Sequence, residues 1–213
     1  MKENTIRVVI VDDHEILREG LKQILAESEN MLVVAEAENA ADAIKICSKT
    51  AFDVLLLDIS LPDRNGIEAL KLIKAENSHI AVLMLSMHRE DQYAIRSLKA
   101  GASGYLTKQS ASSELVNAIR TVARGKKYIT PEVAEALANQ VGNAEKPLHE
   151  SLSDREYQTF IMIASGLSVS DIAEKLCLSV KTVSMYRARL IEKMKFKHNA
   201  ELTHYAIKNN LVE

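Results

Sequence analysis

Five polar residues, each at the end of a short apolar run, carry the strongest chemistry in this chain. Asp12 and Asp13 follow Ile6–Val11, and Asp58 follows Val54–Leu57. Ser86 follows Ile80–Leu85, and Lys108 follows Gly104–Thr107. If the four runs are buried parallel strands, these side chains meet at the carboxyl edge of one sheet, where open α/β folds place their ligands. Three carboxylates drawn together repel one another. Two charges 4 Å apart cost about 4 kcal/mol at an effective dielectric near 20, and Lys108 alone supplies too little positive charge. Mg²⁺ is the expected missing cation, because it prefers hard oxygens and bridges carboxylates to phosphates. Asp58 then reads as a nucleophile that accepts a phosphoryl group as an acyl phosphate. Lys108 would neutralise one phosphate oxygen and the Ser86 hydroxyl would donate to another. Taken singly, each Asp reads equally well as a helix or turn cap; the five together favour the phosphoryl site.

The elements that position these residues alternate along the first part of the chain. Helical periodicity covers Glu15–Glu27, with Ile16, Leu17, Leu21, Ile24 and Leu25 expected on one face, then Ala40–Thr50, Ile67–Ala75, Asp91–Ala100 and Ser110–Arg124. Met31–Ala37 reads as a further strand, and the unbroken apolar run before Asp58 fits a strand covered on both faces. Five such βα units predict a doubly wound five-stranded parallel sheet. After Thr130-Pro131, a good helix opening, a weakly amphipathic segment reaches about Asn139, and Val141–Glu150 reads as a linker. Beyond Ser153 only helical periodicity remains.

Composition limits the alternatives. With 213 residues and 47% hydrophobic content, two domains are the natural reading. No apolar stretch approaches the roughly 18–20 residues that span a bilayer, and the first residues lack a signal pattern. Cys47 and Cys177 lie far apart within helix-like patterns and read as reduced, buried thiols of a cytoplasmic protein. The net charge of −2 is uninformative, but its distribution is not. Between Val180 and Lys197 stand Lys181, Arg187, Arg189, Lys193, Lys195 and Lys197 against Glu192 alone. A local basic stripe in a near-neutral chain points to nucleic acid.

That stripe falls on a helical hairpin. Ser153 with Glu156 three residues later forms a capping-box signature, and the helix it opens directs Tyr157, Phe160, Ile161 and Ala164 inward. Ser168 or Ser170 caps a short helix, Cys177-Leu178-Ser179 turns the chain, and a longer helix runs from Val180 to Met194. A short helix, a tight turn and a basic helix make a helix-turn-helix. Val183, Leu190 and Met194 are expected in the core. The opposite stripe of Lys181, Ser184, Met185 and Ala188, with Thr182 and Arg189 at its margins, is free to approach duplex DNA. With 4% aromatic residues and no Trp, a base-stacking surface for single strands is disfavoured.

The motifs Val11-Asp12-Asp13-His14, Asp58-Ile59-Ser60-Leu61-Pro62 with Gly66, Ser86, and Tyr105-Leu106-Thr107-Lys108 resemble the receiver domain of bacterial two-component response regulators. Leu152-Ser153-Asp154-Arg155-Glu156, Ala164-Ser165-Gly166, Asp171-Ile172-Ala173 and Lys181-Thr182-Val183 resemble the four-helix DNA-binding domain of LuxR-type regulators. Together the chain resembles the NarL/FixJ class. The resemblance implies a flavodoxin-like sheet of order 2-1-3-4-5 followed by a smaller all-α helix-turn-helix domain. It implies Asp58 as phospho-acceptor, with Mg²⁺ held by Asp13, Asp58 and the Ser60 carbonyl, and by Asp12 through water. It further implies Ser86 and Tyr105 as the switch pair, with Ser184, Met185 and Ala188 toward bases and Lys181, Thr182 and Arg189 near phosphates. The last helix, about Asn199–Asn209, would contact a second copy on DNA.

The expected organisation is a receiver over 1–125, a connecting helix and linker over 126–150, and a DNA-binding domain over 151–213. The expected function is a transcription regulator switched by a sensor histidine kinase, binding paired half-sites in the major groove as a homodimer, away from membranes. An aspartate-dependent phosphatase is the alternative from another class, but Ser60 stands where its general acid would sit, and no Gly-rich phosphate loop follows the first strand. A regulator that works without phosphate is a third reading.

Overall fold

The computed structural model describes residues 5–87, 91–142 and 147–212. They form two compact units, 1–138 and 139–213. In the first, strands and helices alternate: β1 Ile6–Val11, α1 Glu15–Ala26, β2 Met31–Ala37, α2 Ala40–Lys49, β3 Val54–Asp58, α3 Gly66–Glu76, β4 Ala81–Ser86, α4 Asp91–Lys99, β5 Gly104–Thr107 and α5 Ala111–Ala123. The strands form one sheet of order β2-β1-β3-β4-β5, and every pairing is parallel. This is the expected doubly wound topology.

The composition of the central strand explains its place. Val54, Leu55, Leu56 and Leu57 of β3 have no solvent exposure, as do Val8–Val11 of β1. Only a strand with helices on both faces hides consecutive side chains in this way. Leu21 and Leu25 of α1 and Leu115, Ala118, Ile119 and Val122 of α5 pack together against one face. The first polar residues after these apolar runs therefore emerge at the carboxyl edge.

One expectation for α1 is corrected. Ile16, placed by the sequence pattern on the apolar face, is 90% exposed. It lies five residues before Leu21, about 140° around the helix from it. The buried stripe is instead Arg18, Leu21 and Leu25, with Leu17 and Ile24 half-buried. The thiols depart from expectation too. Cys177 is exposed in a turn at φ 51°, and Cys47 is only half-buried, though burial pushes its thiol up to about 11.

Helix α6, Pro131–Gly142, runs three residues past its expected end, and Leu148–Ser151 is a single 3₁₀ turn. Part of the expected linker, residues 143–146, lies outside the described residues. The second unit then contains α7 Asp154–Ala164, α8 Val169–Lys175, α9 Val180–Met194 and α10 Asn199–Lys208. Both expected starts are capped as reciprocal boxes, Ser153 with Glu156 and Ser168 with Asp171. Tyr157, Phe160, Phe196 and Tyr205 pack as an aromatic core with ring centroids 5.6–6.2 Å apart. Val183, Leu190 and Met194 of α9 are buried, as their spacing predicts.

Candidate functional site

The carboxyl edge gathers an acidic pocket. Asp12 leaves the end of β1, and its N–H donates to the Ala37 carbonyl at 3.2 Å. Asp58 is the last residue of β3. Asp12, Asp13, His14 and Asp58 each bring one ligand atom within 4.8 Å of all the others. Lys108 reaches in from the end of β5, its Nζ 2.7 Å from Asp12 Oδ2 and 2.9 Å from Asp58 Oδ2. It is the lysine expected there, and its one ammonium serves two buried carboxylates.

Electrostatics follow from that imbalance. Burial pushes the Asp58 carboxyl up to about 6; Lys108 opposes this and Asp12 reinforces it. Burial thus makes the ionised form costly. Burial alone would lower the Lys108 ammonium, yet Asp58 and Asp12 hold it above its ordinary value. Asp58 Oδ1 has no hydrogen-bond partner of good geometry and is buried. A buried anionic oxygen left in this state beside two more carboxylates is what a hard divalent cation satisfies, so the donor set fits one.

Ser86 ends β4 and is buried, and its carbonyl accepts from the Lys108 N–H at 2.7 Å. The Ser86 hydroxyl and the Lys108 ammonium thus belong to one rigid strand pair. Tyr105 lies on β5 opposite Met84 with its ring buried. Ser60 sits in the loop after β3, which a bridge to Asn65 closes. Two side chains that the motif reading passed over shape these loops. Asp63 accepts from the N–H groups of Ala40 and Ala41, both at 2.9 Å, which ties the Ser60 loop to the start of α2. Arg18 donates to the Asp12 carbonyl at 2.7 Å. Its position in phase with Leu21 and Leu25 was the available signal, since an arginine on a core stripe must be paired.

Gly66 has a steric duty. A Cβ there would lie 2.0 Å from the Asp58 carbonyl oxygen and 2.9 Å from Ile59 Cα. Both obstacles are backbone of the site loop and neither yields cheaply. Gly66→Ala is expected to cost at least about 3 kcal/mol of receiver stability. Urea denaturation of the variant checks this, and a cost below about 1 kcal/mol would contradict the close approach.

In the second unit the structure divides the basic stripe. Lys181, Ser184, Met185, Ala188 and Arg189 of α9 are exposed, and Thr182 is half-buried. Two expected cations are engaged elsewhere: Lys193 pairs with Glu156 at 2.6 Å, and Arg187 Nε donates to Asn199 Oδ1 at 2.8 Å. Burial alone would raise the Glu156 carboxyl, but hydrogen bonds from Lys193 and from Ser153 hold it below its ordinary value. Ser179 caps α9, accepting from the Thr182 N–H at 3.0 Å.

Known proteins match both units. Residues 8–120 match the response regulator receiver domain, and residues 150–206 match the bacterial regulatory proteins of the luxR family. Response regulator UvrY of Escherichia coli K12 is 40% identical over 208 residues, covering 97% of this chain and 95% of that protein. Response regulator GacA of Pseudomonas aeruginosa is 37% identical over 211 residues, covering 98% of each. The structure of Salmonella enterica RcsB bound to a promoter with the phosphomimetic BeF3⁻ superposes with a TM-score of 0.64 at 28% identity, covering 95% of this chain and 98% of that one. RcsB is also seen as two dimers bound to two parallel DNAs, with a TM-score of 0.60 at 28% identity over the same shares of the two chains. The chain belongs to the two-component response regulators that join a receiver domain to a LuxR-type DNA-binding domain. It is a DNA-binding transcription regulator controlled through aspartyl phosphorylation, not an enzyme that turns over an external substrate.

Proposed function

We propose that Asp58 is the phosphoryl acceptor. The observation that carries this is its place in the pocket: Asp58 ends β3 buried, its Oδ2 lies 2.9 Å from the Lys108 Nζ, and its carboxylate comes within 4.8 Å of ligand atoms of Asp12, Asp13 and His14. A carboxylate oxygen of Asp58 attacks the phosphorus of a phosphohistidine, the P–N bond breaks, and the imidazole leaves with the electron pair and takes a proton. Lys108 then moves its charge onto a phosphoryl oxygen, and the Ser86 hydroxyl donates to another. Asp13, Asp58 and the Ser60 carbonyl, with Asp12 through water, would hold Mg²⁺, which supplies the charge that lets an anionic donor approach three carboxylates.

The donor is a sensor histidine kinase. Its docking surface is the apolar rim beside the pocket, where exposed Ile16 and Met87 border a groove of about 410 Å³ with Leu17 and Ala111. Phosphorylation changes the Ser86–Tyr105 face of the receiver, over residues 1–125, and residues 126–150 pass the change to the DNA-binding domain over 151–213. Two copies then place their α9 helices on paired half-sites in the major groove. Pairing matters because tethering raises the effective concentration of the second module. Among the described residues no helix is long and apolar enough to cross a membrane, and we place the protein in the cytoplasm with its DNA.

The test is phosphoryl uptake from acetyl phosphate, followed by gel retardation on a phosphate-binding gel. Full uptake is expected in millimolar Mg²⁺ and none in excess EDTA, with restoration when Mg²⁺ is returned. Equal uptake in EDTA would overturn the cation-dependent reading.

A further inference from the structure

We infer that Arg18 is a positioning residue for the acidic pocket, fixing the turn on which Asp12 and Asp13 stand. This rests on the reading that the pocket takes a divalent cation. Asp12 and Asp13 follow directly on β1, so the direction of their side chains depends on how the backbone leaves the strand. Two hydrogen bonds to the Asp12 backbone set that exit, beside the His14 N–H that donates to Asp12 Oδ1 at 2.9 Å. The Asp12 N–H is tied to the Ala37 carbonyl of β2, and the Asp12 carbonyl accepts from Arg18 Nη1 at 2.7 Å. The guanidinium is itself fixed. Its Nη2 meets Glu38 Oε1 at 2.5 Å, its Nε lies 3.5 Å from Glu36 Oε2, and the side chain is only 8% exposed.

Arginine suits this place because a planar fork can serve a carbonyl and two carboxylates at once, whereas an ammonium is a single point. Glu36 and Glu38 stand at the end of β2 and just beyond it, and Ala40 and Ala41, which hold Asp63, follow two residues later. The β2–α2 junction therefore grips both ligand-bearing loops, one through Arg18 and the other through Asp63. Groups that orient metal ligands from behind change metal affinity by about 10- to 100-fold when removed.

Charge alone predicts the opposite sign. Deleting a cation near an acidic pocket should tighten cation binding. Loss of positioning should weaken it, and the sign separates the two.

The experiment titrates Mn²⁺, as a paramagnetic probe of the Mg²⁺ site, into the full-length protein and reads free Mn²⁺ by electron paramagnetic resonance. Arg18→Met, which keeps the apolar stem, is expected to weaken Mn²⁺ binding at least tenfold. Arg18→Lys should recover part of the affinity, since one ammonium reaches the Asp12 carbonyl or Glu38 but not both. Glu38→Gln, which leaves the Arg18–Asp12 bond in place, should weaken binding by about threefold and keeps the test decisive if Arg18→Met fails to fold. Unchanged or tighter binding in a folded Arg18→Met, or unchanged binding in Glu38→Gln, overturns the positioning role while leaving the cation pocket intact. Absence of Mn²⁺ binding by the wild-type chain would instead overturn the pocket reading, and the role of Arg18 with it.

Discussion

Asp58→Asn is expected to abolish phosphoryl uptake from acetyl phosphate in Mg²⁺ and, in the absence of divalent cations, to melt higher than the wild type. The first effect follows from the chemistry: an amide oxygen is a poor nucleophile and the variant has lost the acceptor. The second follows from the charge balance. Asp12 and Asp58 are both buried, and they share one ammonium at 2.7 and 2.9 Å. Burial and Asp12 push the Asp58 carboxyl up to about 6 against the pull of Lys108, so at neutral pH the ionised group opposes folding. The isosteric amide removes that charge and leaves Lys108 paired with Asp12. A gain of about 1 kcal/mol, or about 4 °C, is expected by calorimetry in EDTA. Mg²⁺ should shrink the difference, because the cation stabilises the wild type by mass action. Labelling of the Asn variant at the wild-type level would place the acceptor elsewhere. A lower melting point would mean that the Lys108–Asp58 pair outweighs the repulsion.

Together the two expected effects describe a pocket held at the expense of stability. The pocket concentrates like charge where β1 and β3 end, with Lys108 opposing it from the end of β5, and the fold tolerates this because Val8–Val11 and Val54–Leu57 behind it have no solvent exposure. Stability comes from the Val, Leu and Ile runs, and the chemistry occupies the residues just past them.

That division explains what was legible in the sequence. β1, β3 and β4 were visible because strands covered on both faces need no polar alternation, so their apolar runs end where the site begins. The capping boxes at Ser153 and Ser168 were visible, or nearly so, because a cap is a local pattern of four residues. Arg18 and Asp63 were not, because each acts across a long span of chain. Arg18 meets Glu38 twenty residues on, and Asp63 meets Ala40 twenty-three residues back. Ile16 misled for the opposite reason: its composition fits a core face, but its phase around α1 does not. Cys177 sits in a left-handed turn at φ 51° that no residue there advertises, since neither Gly nor Asn stands at that point.

On α9 the expected result is a separation of two kinds of loss. Lys181→Ala and Arg189→Ala should each weaken binding to every duplex by a similar factor and reduce the slope of log affinity against log salt by about 1, as loss of one phosphate contact requires. Met185→Ala and Ser184→Ala should instead change the preference at single positions of the half-site, by about 1–3 kcal/mol between the best and the wrong base. Ala188→Glu should have the largest effect. It sets a carboxylate on the exposed stripe that we propose faces phosphates and base acceptors, and affinity should fall at least a hundredfold. Lys193→Ala is the contrast that makes the argument specific. Its ammonium is bound to Glu156 at 2.6 Å, so its loss should lower the melting point of the helical unit and leave the salt slope unchanged. Fluorescence anisotropy of the labelled operator and its single-base variants across 50–300 mM salt, after selection of that operator from a random pool, measures the affinities and slopes of all six variants, and calorimetry measures the melting point of Lys193→Ala. An unchanged slope in Lys181→Ala and Arg189→Ala, or a reduced one in Lys193→Ala, would mean that a different face of the helix meets the DNA.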